Sequence, residues 1–381
     1  MADNRKPKCL YLLDAMALAY RSHFIFISRP LVNSKGQNTS ATYGFTSALL
    51  KLIEDHGIEH IAVVFDALDD GGTFRDELFD SYKANREPPP DELIDNIPRI
   101  KSVVEAFDIP VFEIGGVEAD DVIGTLARKA ESDGADVVIV SPDKDFQQLI
   151  SDHVSLFRPA YRGEEFEPVT LDSFRERWRV EPAQFIDIQA LWGDSTDNVP
   201  GVPGIGEKTA AKLIQEYGSI EELLDHAGDV PGKRAREGLM GFGDQARMSK
   251  ELVTIRTDLD VDLDWDNVHQ GKPDTLRIRE VFRDLEFNTL WNRTQRILRL
   301  GSAESGQASL FAGASTAGRE DPDGDLAAVD RDKHDFSVLP SIAKLRTFIG
   351  GFKGQDETVA LSVVLTDDES PMTAAIAGIL M

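Results

Sequence analysis

The sequence predicts an α/β fold, a mostly parallel sheet with helices on both faces, followed by a helical second region. Two observations predict it. Over the first 160 residues, short β-branched runs alternate with longer amphipathic ones, which is typical of strand–helix–strand units. Beyond residue 171 strand signals become rare and helical patterns dominate. A chain of 381 residues can bury a separate core in each region.

The elements of the first region follow one another along the chain. The expected strands are Cys9–Leu13, Ile61–Phe65, Val111–Ile114, Val137–Val140 and Ser155–Phe157. The expected helices of this region are Ala41–Asp55, Ile97–Phe107 and Glu118–Ser132. The second region has helical patterns at Pro182–Trp192, Lys208–Tyr217 and Ile220–Asp225. Because ligands bind at the carboxyl ends of parallel strands, the residues that follow each strand are the first candidates for a site.

Composition limits the compartment and the chemistry. The single cysteine, Cys9, excludes an internal disulfide framework and a thiolate metal cluster. No apolar run approaches the roughly 20 residues of a membrane helix, and the charged N-terminus does not look like a signal peptide. We therefore expect a cytoplasmic protein. The net charge of −26 would by default repel nucleic acid, so the acidic residues have to be located before a DNA partner is considered.

Acidic residues follow four of the predicted strands. They are Asp14, then Asp66, then Glu118, Asp120 and Asp121, and finally Asp143 and Asp145. Any one of them alone is more simply explained as a turn residue or a helix start. Together at one edge of a sheet they would repel one another unless cations neutralised them, and Mg²⁺ or Mn²⁺ prefer such oxygen ligands. No histidine joins these motifs, which argues against zinc.

A carboxylate site that holds two such ions performs phosphoryl transfer. A phosphatase of the haloacid-dehalogenase type is the alternative, but it needs an acid two residues after the first strand-end aspartate. Met16 stands there, so this alternative loses ground.

The segment Gly193–Ala210 indicates the substrate. Its second half is a glycine-rich hairpin that enters a helix, and glycines let backbone amides and a helix start approach a phosphate closely. The residues expected to hold the DNA backbone are Gly201, Gly204, Ile205, Gly206, Lys208 and Thr209. Two more acids, Asp194 and Asp197, precede the hairpin. This pattern predicts a helix-hairpin-helix that grips duplex DNA without reading bases, against the plainer interpretation of a turn between structural helices.

Over about residues 8–297 the chain resembles the 5′ nuclease region of bacterial DNA polymerase I, in the flap-endonuclease family, whose sheet is PIN-like. The matching segments are Tyr11–Ala15, Val63–Asp66, Phe74-Arg75, Ser81–Arg86, Gly116–Gly124, Ser141–Leu149 and the hairpin, all in the family's order. One departure is Ala15, where bacterial members usually have glycine.

The resemblance implies roles for individual residues. Asp14, Asp66, Glu118 and Asp120 would bind a first metal, and Asp143, Asp145 and Asp197 a second, with Asp121 and Asp194 nearby. Residues 74–98 would form a helical arch, in which Arg75, Lys83 and Arg86 meet the scissile phosphate and its neighbours. For these three bases, surface ion pairs are the alternative. Tyr20 would stack on the terminal base, although an aromatic residue there is more often part of a core.

The implied reaction is hydrolysis of DNA at 5′ flaps, nicks and free 5′ ends, in primer removal and excision repair. The implied cofactors are two Mg²⁺ or Mn²⁺ ions, with K⁺ a further candidate at the hairpin. We expect a monomer, with polymerase domains following in a longer gene product. The alternatives are a non-catalytic junction-binding module and a PIN-type RNase. An intact carboxylate set argues against the first, and the hairpin against the second.

Residues 298–335 are rich in Ser, Ala, Gly and Asp, which predicts a flexible linker. Residues 336–381 weakly resemble the start of a 3′-5′ proofreading domain. Ser362 and Val364 occupy the positions where active proofreaders carry a metal-binding Asp and Glu, so we expect no proofreading activity.

Overall fold

The computed structural model describes residues 8–67, 72–160 and 166–304, together with the short strands at 360–362 and 378–380. The chain divides into two compact units, residues 1–309 and 310–381. In the second unit β7 (Ala360–Ser362) pairs antiparallel with β8 (Gly378–Leu380). The other residues of the predicted proofreading-like piece lie outside the described residues.

A six-stranded sheet forms the centre of the first unit, with the strand order β3-β2-β1-β4-β5-β6. Its strands are β1 (Cys9–Asp14), β2 (His60–Asp66), β3 (Val111–Ile114), β4 (Asp136–Val140), β5 (Val154–Pro159) and β6 (Phe166–Val169). The first five are parallel and β6 is antiparallel to β5. The predicted α/β class is therefore confirmed. The sequence analysis missed β6, because Pro168 weakens its strand pattern; at the edge of a sheet a proline costs no ladder hydrogen bond.

The described part of the first unit contains thirteen helices. They are α1 (Ala15–Ile25), α2 (Ser40–His56), α3 (Phe74–Leu78), α4 (Asp91–Ile94), α5 (Ile97–Ala106), α6 (Ala119–Ser132), α7 (Leu171–Trp178), α8 (Phe185–Trp192), α9 (Glu207–Tyr217), α10 (Ile220–Asp225), α11 (Lys233–Val253), α12 (Thr275–Leu285) and α13 (Asn288–Glu304). Short 3-10 turns lie at Asp145–Leu149, Pro182–Gln184 and Ala227–Asp229. No helix of the described ranges is long and apolar enough to span a membrane.

The two faces of the sheet belong to two different cores. Leu10 and Leu12 of β1 pack with α6 and with the helices of the second region, whereas Tyr11 and Leu13 pack with α1, α2 and α5. Successive side chains of a strand point to opposite faces, so a strand buried on both sides is apolar throughout. This burial explains why the strand signals in the sequence are continuous apolar runs.

The last two helices do not belong with the helical region that the sequence predicted at residues 171–297. Ile278 and Phe282 of α12 and Leu290 of α13 are buried in the core that α2 and α5 form on the sheet. The chain therefore returns to the sheet after α11. In addition, α13 continues to Glu304, so the predicted linker begins later than residue 298, and its remainder lies outside the described residues.

The segment predicted as a helical arch, residues 74–98, is not one helix. It contains α3 and α4, each no longer than five residues, joined by turns between residues 79 and 90. Pro88, Pro89 and Pro90 explain why no helix leads directly into α4, because proline lacks the backbone donor of a helix and restricts the residue before it to extended conformations.

Candidate active site

The first acidic residue of the site ends one element and starts the next. Asp14 closes β1 and caps α1, and its Oδ1 accepts a hydrogen bond from the backbone N–H of Ala17 at 3.0 Å. Its Oδ2 accepts a hydrogen bond from Oγ of Ser141, at the end of β4, at 2.7 Å. Asp14 is only 4% exposed. Its burial, with Asp66 and Asp143 nearby, raises the pKa of Asp14 to about 7.

The strand beside β1 and the start of α6 add further carboxylates. Asp66 ends β2, and its Oδ1 accepts a hydrogen bond from the backbone N–H of Ala119 at 2.9 Å. Glu118 is the N-cap of α6, and Asp120 lies in the first turn of that helix. Burial, together with the nearby charges of Asp143 and other acids, raises the pKa of Asp120 well above its usual range. The structure thus brings these predicted residues to one edge of the sheet.

The end of β4 contributes a compact acidic turn. The backbone N–H of Asp143 donates to Oγ of Ser141 (3.0 Å), and the backbone N–H of Asp145 donates to Oδ1 of Asp143 (2.9 Å). Nε2 of Gln189, from α8, donates to Oδ1 of Asp145 at 2.5 Å. Burial raises the pKa of both aspartates. This turn therefore faces the second region through α8.

The loop after α8 closes on itself and holds the next acid. Asp194 and Val199 exchange two backbone hydrogen bonds, of 2.9 and 2.7 Å. Nζ of Lys144 lies 2.6 Å from Oδ2 of Asp194. Burial alone would raise the pKa of Asp194, but the hydrogen bond from Lys144 lowers it. Asp194 is thus held by a lysine that the sequence analysis did not assign to the site.

Two of the predicted basic residues lie against the carboxylates. Nζ of Lys83 is 2.8 Å from Oε2 of Glu118, and its backbone N–H donates to the carbonyl of Asp197 at 2.9 Å. The Arg86 guanidinium binds the Asp197 carboxylate. Lys83 has φ 53°, a left-handed conformation that is strained for a residue with a Cβ. Burial opposes the charge of Lys83, but Glu118 and Asp197 raise the pKa of its ammonium.

Tyr20 lies on α1, half-buried, with its ring 6.4 Å from that of Phe24. Burial raises the pKa of Tyr20, and the charges of Arg86 and Asp66 act on its hydroxyl. The ring is therefore near the carboxylate edge.

Arg75, the third of the predicted basic residues, is buried in an ion pair. It is 2% exposed, and its guanidinium donates two hydrogen bonds to Asp121, of 2.7 and 2.8 Å. Asp121 itself has no exposed surface. In this structure the guanidinium of Arg75 is therefore directed at Asp121, and Asp121 is turned away from solvent towards Arg75. The sequence could not show this, because the two residues lie on different elements, 46 positions apart.

The described carboxylates are not arranged as a complete metal-binding site. Within the ranges that the structure describes, no three acidic, histidine or cysteine side chains lie close enough together to hold an ion. Basic side chains instead bind Glu118, Asp194 and Asp197. The chemistry of the donors nevertheless fits a hard divalent cation, since they are oxygen donors only and the burial of Asp14 penalises its uncompensated charge.

The glycine hairpin is built by close backbone contacts. Gly201 and Gly204 have φ values of 60° and 87°, and a Cβ on Gly201 would lie 2.5 Å from the backbone N of Gly193. Ile205 is buried beneath the hairpin. Gly206, the N-cap of α9, has nothing within 4 Å of the Cβ it lacks.

Lys208 and Thr209, in the first turn of α9, are exposed. On the other side, α11 supports the hairpin through Gly238, whose missing Cβ would lie 2.4 Å from the carbonyl oxygen of Pro203.

The sequence analysis missed some supporting residues. The Tyr82 hydroxyl lies 3.4 Å from Oε2 of Glu118 and 3.3 Å from Oδ2 of Asp197. Ser141 is buried and contacts both Asp14 and Asp143. Their positions in the sequence could have indicated them, because Ser141 directly follows β4 and Tyr82 directly precedes Lys83.

Acidic groups that converge at the carboxyl edge of a parallel sheet, under basic side chains from another segment, are suited to phosphoryl transfer. The fold and these donors thus fit the phosphoryl-transfer class of proteins. Residues 9–179 match the 5′-3′ exonuclease N-terminal resolvase-like domain, and residues 180–276 match the 5′-3′ exonuclease C-terminal SAM fold. The chain belongs to the 5′-3′ exonuclease family, and the predicted class of 5′ nuclease is confirmed.

Similar proteins are DNA polymerases. The chain is 42% identical over 289 residues to DNA polymerase I of Bacillus subtilis, covering 75% of this chain and 32% of that protein. It is 39% identical over 280 residues to the thermostable DNA polymerase I of Thermus thermophilus, covering 73% and 32%. The chain thus spans about a third of the length of these relatives.

Solved structures share the fold. One is T5 5′-exonuclease with bound divalent zinc ions, with a TM-score of 0.55 and 23% identity over 77% of this chain and 99% of that one. Another is human GEN1 in complex with Holliday junction DNA, with a TM-score of 0.54 and 13% identity over 80% of this chain and 75% of that one. At these identities the likeness concerns the fold.

Proposed function

We propose that the chain hydrolyses DNA phosphodiesters at 5′ flaps, nicks and free 5′ ends, with divalent metal ions as cofactors. The observation that carries the proposal is the contact of Lys83 with Glu118 at 2.8 Å, because it brings a phosphate-binding cation to the acidic edge of the sheet. An acid cluster alone would suit many reactions, whereas acids and a phosphate-binding cation at one edge suit phosphoryl transfer.

The donor set suggests two Mg²⁺ or Mn²⁺ ions. Asp14, Asp66, Glu118 and Asp120 would hold the first. Asp143, Asp145 and Asp197 would hold the second, with Asp194 beside them. Bound there, the ions would supply an activated water and charge stabilisation at the leaving oxygen. A K⁺ ion at the hairpin is a further part of the proposal.

The protein's own groups position the substrate. Lys83 and Arg86 are bound to carboxylates and lie on the segment that crosses the acidic edge, so both can exchange a carboxylate for a phosphate oxygen. Charge on that phosphate increases in the transition state, and fixed cations stabilise it there. Tyr20, near the same edge, is proposed to stack on the terminal base.

The hairpin would hold the duplex beside the cleavage point. Gly204 and Gly206 keep its surface free of side chains, and Lys208 adds a positive charge at the helix start, which favours a backbone phosphate. Contacts of this kind carry no sequence information. Such a substrate preference suits primer removal and excision repair in the cytoplasm, by a monomer that forms the N-terminal part of a longer polymerase.

The test uses a labelled 5′-flap duplex with the purified chain. We expect cleavage in Mg²⁺, none in EDTA, and products with a 5′-phosphate and a 3′-hydroxyl. Asp66→Ala and Asp143→Ala should each lower the rate at least about 1,000-fold, as loss of transition-state stabilisation does. Both variants should still bind the flap.

Two outcomes would overturn the proposal. Wild-type chain that binds the flap without cutting it in Mg²⁺ would indicate a junction-binding module. Preferential cutting of single-stranded RNA would indicate an RNase.

A further inference from the structure

Both carboxylate oxygens of Asp121 accept hydrogen bonds from within the protein. Its Oδ2 accepts a hydrogen bond from Nη1 of Arg75, and its Oδ1 accepts from Nη2 of Arg75 and from the backbone N–H of Arg256, at 2.8 Å each. The carboxylate is completely buried, and its neighbour Asp120 turns towards the acidic edge instead. A bidentate arginine pair of this kind fixes both partners in one orientation.

The remaining donors of Arg75 bind a third part of the chain. Its Nε donates to the carbonyl of Leu252 (2.8 Å) and its Nη2 to that of Thr254 (2.9 Å), at the end of α11. Two guanidinium groups lie over the ring of Phe74, that of Arg75 at 4.5 Å and that of Arg256 at 3.5 Å from its centroid. Three elements that are distant in sequence therefore meet at one ion pair.

Each of these elements carries a part of the site. Helix α3 starts the segment that brings Lys83 to the carboxylates. Helix α6 carries Glu118 and Asp120 in its first turn, and Nη1 of Arg75 lies 3.7 Å from Oε2 of Glu118. Helix α11 contacts the hairpin, since Nε2 of Gln245 donates to the carbonyl of Gly201 at 2.6 Å.

We propose that Arg75 and Asp121 are positioning residues. Their buried ion pair fixes the position of the α6 carboxylates, Glu118 and Asp120, relative to the segment that carries Lys83 and to α11, the helix that supports the hairpin. The proposal rests on the proposed nuclease function and revises the expected role of both residues. Asp121 holds α6 in place and binds no ion. Arg75 contacts no phosphate.

The experiment compares Arg75→Lys, Asp121→Asn and the double variant by single-turnover flap cleavage and by calorimetric Mn²⁺ binding to the free protein. Lysine keeps the charge but loses the bidentate geometry. Each single variant should cleave about 100-fold more slowly, as small misplacements in active sites do. The double variant should be no slower than either, because both changes break one interaction. Mn²⁺ affinity should change by the same factor in both single variants.

The matched control is Asp187→Asn. Asp187 is also buried, and it pairs at 2.7 Å with Lys250 of α11, but its partners lie outside α6. This variant should melt at a lower temperature and retain its cleavage rate and Mn²⁺ affinity. If Arg75→Lys behaves in the same way, the pair is only structural and the proposal is wrong.

A metal-ligand role gives a different pattern. Asp121→Asn would weaken Mn²⁺ binding while Arg75→Lys would not, and the two effects would add. Should these variants fold poorly, the apolar pair Arg75→Met with Asp121→Leu removes both charges together, a change that buried ion pairs often tolerate. A folded apolar pair with wild-type cleavage and Mn²⁺ affinity would overturn the proposal. If the wild-type chain cuts no flap, the proposed function fails, but the Mn²⁺ comparison of the two single variants still decides this inference.

Discussion

The acidic edge of the sheet and the glycine hairpin are built in opposite ways. At the edge, side chains from several strands and helices crowd together, and their charges are held by Lys83, Arg86 and Lys144. At the hairpin, the backbone makes the contacts, and Gly201 packs where a Cβ would lie 2.5 Å from the backbone N of Gly193.

Because of this difference, substitutions in the two regions should have different effects. The edge depends on charge, so a substitution there should change the rate of reaction. The hairpin depends on shape and open space, so a substitution there should change binding or folding. The two regions can therefore be broken independently, although α8 contacts both, through Gln189 at Asp145 and through the Leu191 carbonyl, which accepts from the backbone N–H of Val202.

Among the changes that separate the two regions, Lys83→Ala should have the largest effect. Removal of the ammonium takes a fixed cation from the acidic edge, and we expect the single-turnover rate to fall about 100- to 1,000-fold with a small change in Kd. Lys208→Ala is the control on the hairpin side and should weaken binding while the rate at saturation stays near wild type. If Lys83→Ala changes only Kd and leaves the rate unchanged, the edge would act through binding as the hairpin does, and the distinction between the two regions would be lost.

The second largest effect should be the dependence of DNA affinity on salt, which also distinguishes the two regions. Monovalent salt competes with Lys and Arg for phosphates, so four phosphate contacts would lower affinity roughly 100-fold between 50 and 200 mM salt. Ca²⁺ should act in the opposite direction and strengthen binding, because it neutralises the acidic edge that repels DNA. Fluorescence anisotropy with a labelled flap duplex measures both. Affinity that is insensitive to salt, or weakened by low Ca²⁺, would contradict the assignment.

The smallest effect distinguishes two glycines of the hairpin. Gly201→Ala forces a Cβ into the backbone at a φ of 60°, and should destabilise the fold by about 1–3 kcal/mol in thermal unfolding. Gly206→Ala meets nothing within 4 Å in the protein, so it should fold normally and weaken duplex binding only a few-fold. Equal melting temperatures of the two variants would show that the close approach at Gly201 is unimportant.

The sequence by itself determined the elements whose signals are local. The five parallel strands were predicted within two residues of their observed ends, because each is an apolar run bounded by turn residues. The acids that end these strands could be placed at one edge, since parallel strands align their carboxyl ends. The glycine pattern of the hairpin was equally readable, because left-handed conformations and close backbone approaches favour glycine.

Only the tertiary structure decided which charges are partners. Arg75 and Lys83 are eight positions apart and look alike in sequence, yet one is buried against Asp121 and the other reaches Glu118. The packing of α12 and α13 against the sheet is likewise visible only in the tertiary structure. The partners of Arg75 lie 46, 177 and 179 residues away, so its role depends on how distant elements pack and leaves no periodicity in the local sequence.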